Sequence, residues 1–136
     1  MTHPIIDLQT AIISKLNADA PLIAQIGANA IFDMPPKGKT GPYIVVTRHD
    51  LIVRDTDLTP GNDHRLQLRL WSPDPSRAKV LVSAERVVAV LDNAVLSTVT
   101  LEVTNVRHQR TDTAIDLKTG RAYATISFRI LSEPAV

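Results

Sequence analysis

After Pro4, apolar residues recur at Ile5, Leu8, Ile12, Ile13 and Leu16, while Asp7, Gln9, Thr10 and Lys15 take the remaining side. That spacing predicts an amphipathic helix of about three turns. Asp19-Ala20-Pro21 reads as a second helix start, since proline in the first turn has no N–H to leave unsatisfied; Leu22, Ile23 and Ile26 give its apolar side and Gly27 its end. Ala30 to Asp33 reads as a short strand. "MPPKGKTGP", Met34 to Pro42, combines prolines and glycines in a way that forbids regular structure and predicts an exposed loop.

Tyr43 to Val53, "YIVVTRHDLIV", is a β-branched run of strand type, and the polar "RDTDLTPGND" after it, Arg54 to Asp63, reads as a long hairpin loop. In the returning strand the period is two: His64, Leu66, Leu68 and Leu70 share one face, predicted to enter the core, and Arg65, Gln67, Arg69 and Trp71 share the other. At Ser72-Pro73-Asp74-Pro75 the period changes. Asp74 is placed to cap a helix and Pro75 to open it, with Val80, Leu81, Ala84, Val87, Val88 and Leu91 as the buried stripe. "STVTLEVTNVRHQRT" then reads as a strand whose apolar set Val99, Leu101, Val103 changes parity at Val106, which predicts a bulge near Thr104-Asn105. "DTAIDLKTG" reads as a connecting loop. "RAYATISFRIL" reads as a final strand with Ala122, Ala124, Ile126, Phe128 and Ile130 on its core face. The order α-α-β-β-β-α-β-β predicts an α+β fold, one domain over 1–136, with a mostly antiparallel sheet of four to five strands and helices on one face.

Composition narrows the partners. Fifteen basic residues against fourteen acidic give a net charge of +1, so no global field draws the chain to a polyanion. With 4% aromatic residues the core is aliphatic, and with no cysteine there are no disulfides or thiolate sites. No apolar run is long enough to span a bilayer, and "MTHPIIDLQTAI" lacks the pattern of a signal peptide; no membrane partner is expected.

Candidate chemistry is sparse. His49, Asp63 and His64 are the residues a small metal-dependent hydrolase would use, with His49 and His64 diagonal neighbours on one face if the hairpin centres near residues 57 and 58. A firm third ligand is missing, so ordinary strand histidines are the better account and no metal is expected. No Gly-x-Ser-x-Gly elbow occurs, and "KGKTG" lacks the first glycine, the leading strand and the following helix of a phosphate loop. Arg65, Arg69, Arg107, Arg110, Arg121 and Arg129 fall on strand faces opposite the apolar ones. As a nucleic-acid surface they lack aromatic platforms other than Trp71 and Tyr123; a solvated face, or one paired with acidic groups of a neighbouring subunit, fits better.

Taken together, "LQTAIISKLNAD", "LIAQIGANAIFDMPP", "GPYIVV", "HRLQLRLWS", the helix ending at "VLDNAVLS" and the closing "FRIL" resemble the tail terminator, or tail completion, family of long-tailed bacteriophages and gene transfer agents. The resemblance implies a non-enzymatic ring, commonly a hexamer, at the head-proximal end of a tail. Such a ring stops tube growth and joins the tail to the head connector. Implied partners are further copies of the chain, the tail tube protein and the head–tail connector protein, with DNA only passing through the lumen; a stopper or adaptor role is the near alternative. The implied location is the tail of a virion or phage-like particle assembled in the bacterial cytoplasm. No catalytic, cofactor-binding or metal residue is carried over, and no cofactor is implied. Function is expected in the two loops, at Met34, Pro35, Pro36, Lys37 and Lys39 in the first and Arg54, Asp55, Asp57 and Asp63 in the second, both mobile until a partner orders them.

Overall fold

The computed structural model describes residues 3–34, 37–55, 60–96 and 98–134. Along the chain these form α1 (Pro4–Asn17), α2 (Ala20–Ile26), β1 (Ile31–Phe32), β2 (Tyr43–Val53), β3 (Asn62–Trp71), α3 (Arg77–Leu91), β4 (Leu101–Ile115) and β5 (Ala122–Pro134). The five strands make one sheet in the order β1-β2-β3-β5-β4, parallel between β1 and β2 and antiparallel elsewhere. This is the α+β order expected from the period changes.

One face of the sheet is covered. Leu66, Leu68 and Leu70 of β3 and Ala122, Ala124, Ile126, Phe128 and Ile130 of β5 are buried there against Leu8, Ile12 and Leu16 of α1 and Val80, Ala84, Val87 and Leu91 of α3. Among the described residues the other face carries no helix; it presents Arg65, Arg69 and Arg129 with the row Tyr43, Trp71 and Tyr123. Each helix start is satisfied locally: His3 Nδ1 accepts from Ile5 N, Asp19 Oδ2 from Leu22 N and Ser76 Oγ from Lys79 N.

Four local expectations need correction. Helix α3 is capped by Ser76, not Asp74, and begins at Arg77. Ser76 has the extended backbone a cap requires, while the Asp74 carboxylate is held by Lys79 Nζ. Leu81 is exposed, and Ser83 takes the buried position beside Ala84. Val99 is not in a strand and is almost fully exposed; β4 begins at Leu101, after a turn in which Leu101 N donates to Thr98 Oγ1. Finally, β4 runs on through Asp112–Ile115, so the β4–β5 connection is shorter than expected, closed by Gly120 at φ 69°. The bulge expected near Thr104-Asn105 is present, and a second lies between His108 and Arg110.

Candidate functional site

Hairpin register decides what Asp63 and His64 can do. Leu51 pairs with His64 and His49 with Leu66, so the two histidines are diagonal neighbours on the core face. Asp63 is one residue on and points to the opposite face, where it pairs with Ile52 and Leu131. The hydrolase grouping of His49, Asp63 and His64 is therefore not assembled. Among the described residues no three His, Asp or Glu side chains gather at metal-binding distance.

The histidines instead form a directed hydrogen-bond chain through the core. Gln9 Nε2 of α1 faces His49 Nδ1 at 3.3 Å, His49 Nε2 faces His64 Nδ1 at 2.9 Å, and His64 Nε2 faces Ser132 Oγ at 3.1 Å. If the amide donates first, each ring accepts at Nδ1 and donates at Nε2, so both are satisfied when neutral. Burial holds His49 down to about 4, with the neighbouring His64 adding to the effect, and burial likewise lowers His64. A proton on either ring would set an N–H against an N–H.

Asp63 has a different role. It is buried on the open face, where Arg65 Nε donates to Oδ1 at 3.1 Å, Arg129 Nη2 to Oδ2 at 2.9 Å and Arg54 Nη1 to Oδ2 at 3.2 Å. Burial alone would raise its carboxyl; the hydrogen bonds from Arg129 and Arg65 outweigh it and hold the group at about 2. Asp63 thus belongs to β3 and not to the exposed loop. The acidic partners of the arginine face lie within the chain: Asp63 for Arg65 and Arg129, Asp112 for Arg110, and Asp92, at 3.9 Å, for Arg107.

Both predicted interface loops have fastened bases. In the first, the Arg121 guanidinium donates to the carbonyls of Lys39, Thr40 and Gly41 at 3.1–3.4 Å and to that of Ser72 at 3.1 Å, while lying over the rings of Tyr43 and Trp71. Nothing in the sequence around Arg121 announces this clamp, because it joins segments about eighty residues apart. Met34 and Lys37 are exposed, and Lys39 reaches over the Phe32 ring. In the second loop, Arg54 N donates to Gly61 O at 2.8 Å and Gly61 N to Asp55 Oδ1 at 3.1 Å. A Cβ on Gly61 would stand 3.0 Å from the Arg54 carbonyl, so this closure favours glycine. Pro35, Pro36 and Asp57 lie outside the described residues.

Comparison with known proteins follows the same lines. The model of the family described as tail completion protein gp17 matches residues 10–133. The chain belongs to this family. It is a structural protein of the phage-tail type. Eighteen chains of solved structures also match. One, from the virion of a native gene transfer agent particle, is 22% identical and superposes with a TM-score of 0.86 over 97% of this chain and 99% of that one. The two chains thus share one fold nearly end to end. Comparison with curated proteins gives no match.

Proposed function

We propose that this tail completion protein acts as a single domain that closes into a ring, of six copies, at the head-proximal end of a phage-like tail, where it ends tube growth and joins the tail to the head connector. The observation that carries this reading is the family match over residues 10–133. The virion source of the structural neighbour supports placing the chain in an assembled particle; assembly in the bacterial cytoplasm is part of the proposal. DNA passes through the lumen without being bound, and the chain catalyses no reaction.

The two loops are the contacts with neighbours, tube and connector. Their bases are fixed to the sheet by Arg121 and by the Arg54–Gly61 closure, which lowers the entropy cost of holding the loops against a partner. Replacing Pro35–Gly38 by a Gly-Ser link, which leaves the Lys39–Gly41 carbonyls on Arg121, is expected to leave the melting temperature within about 2 °C of wild type, a change well below 1 kcal/mol, and to abolish capping. Unaltered tail length and head joining with the shortened loop would remove function from it.

A further inference from the structure

The open face of the sheet carries like charges directly opposite one another. Arg65, Arg129 and Arg107 sit side by side on β3, β5 and β4. Like charges in that relation destabilise a sheet unless something opposite in sign is added. Asp63 is one carboxylate shared among Arg54, Arg65 and Arg129, and Arg107 has only the 3.9 Å approach of Asp92. At the far corner of the same face Glu102 pairs with Glu133, again like on like. Neither glutamate has an ion pair among the described residues. The two groups cannot neutralise each other within one chain, since Glu133 and Arg129 are four residues apart on one strand, about 13 Å.

We propose that the Glu102–Glu133 corner of one copy docks on the Arg65–Arg129–Arg107 row of the next, so that each like-charge ladder is neutralised by the other across a subunit contact. The proposal rests on the ring reading above and names the surfaces that meet. Two further features fit it. Val99, three residues before Glu102, is 94% exposed and gives the corner an apolar tip. Tyr43, Trp71 and Tyr123 form a row across β2, β3 and β5 on the receiving face, and Trp, Tyr and Arg are the residue types that dominate interface energetics. A protein is a better occupant than single-stranded nucleic acid. Arg69 lies 4.5 Å from the Tyr123 ring centre and 5.9 Å from that of Trp71, and Arg121 lies 5.8 Å from Trp71, so guanidinium groups already crowd the platforms on which bases would stack. Corner and row are separate patches, and the contact is of the heterologous kind a closed ring requires when each copy gives its corner to one neighbour and its row to the other.

The test is charge reversal, read by sedimentation velocity under conditions where wild type assembles. Glu102→Arg/Glu133→Arg reverses the corner, and Arg107→Glu reverses the one position of the row whose charge Asp63 does not share, leaving Arg65 and Arg129 on Asp63. Each variant alone is expected to sediment as the 14.9 kDa monomer. An equimolar mixture is expected to recover the wild-type mass, because the reversed corner then meets an acidic group at position 107, beside arginines already shared with Asp63, and native corner meets native row; that recovery also shows both variants to be folded. Assembly of either variant alone at wild-type mass, or a mixture that stays monomeric, overturns the docking proposal while leaving the ring reading standing. Salt-sensitive binding of single-stranded DNA by wild type that Arg107→Glu abolishes would reassign the face and also overturn it. A wild type that fails to assemble either free or on tail tubes removes the ring reading and this contact with it.

Discussion

Asp63 and His64 are adjacent in sequence and opposite in consequence. A carboxylate shared by Arg54, Arg65 and Arg129 is the hub of the open face, and removing one partner of a buried ion pair is a large effect. Asp63→Ala is expected to destabilise the chain by about 3 kcal/mol, at the low end for such a loss because the arginines can turn to water; a denaturant midpoint unchanged from wild type would contradict this. The histidines set the pH response. His49, lowered from 6.5 to about 4, and His64, also lowered, bind fewer protons folded than unfolded between those values, so stability falls as pH drops through that window. Asp63, lowered from 3.8 to about 2, adds its own loss only below about pH 4. Urea midpoints are therefore expected to fall steeply between pH 6.5 and 4, and His49→Gln/His64→Gln to flatten that slope; equal stability at pH 7 and 5 would disprove the role of the pair. That the two histidines would be diagonal neighbours followed from the hairpin centre. That they would bond to each other did not, because it depends on α1 delivering Gln9 from above the sheet.

At the scale of elements, most boundaries were legible because the period of apolar residues changes sharply where the chain changes direction. β2 begins and ends where its β-branched run does, and Leu66, Leu68 and Leu70 enter the core as their alternation requires. Leu68→Ala, at a fully buried site between Val46 and Ile126, is expected to cost about 2–5 kcal/mol, and a loss below 1 kcal/mol would refute the facing of β3. The misreadings have separate causes. Asp74 and Ser76 are both good caps by residue type, and the choice between them was made by Lys79, which takes the Asp74 carboxylate for itself. Leu81 and Val99 are apolar yet exposed, so composition alone placed them wrongly. The second bulge of β4 has no glycine or proline to mark it; its residues, His108-Gln109-Arg110, are ordinary strand residues. Between elements, Asp19 both caps α2 and receives Arg86 of α3 at 2.6 and 2.7 Å. Asp19→Ala is expected to lose about 1–2 kcal/mol, more than Arg86→Ala, since only the first also removes the cap; the reverse order in chemical denaturation would argue against the cap.

Over the described residues the molecule is a sheet with one apolar face buried under helices and one open face rich in arginine, flanked by two loops whose bases are tied down. Element order and fold were readable from the sequence. The charge ladders of the open face were not, because they depend on the register of β4 against β5, which two bulges set. The family match over residues 10–133 makes the chain a tail structural protein, and the role proposed for it is to end and join a tail. The most direct measurement is the length of tail tubes grown from purified tube protein with and without this chain, seen by electron microscopy. A ring-forming terminator gives tubes that stop growing and carry a ring at one end. Tubes of unlimited length with no added density at either end, at saturating concentrations of the chain, would contradict the account.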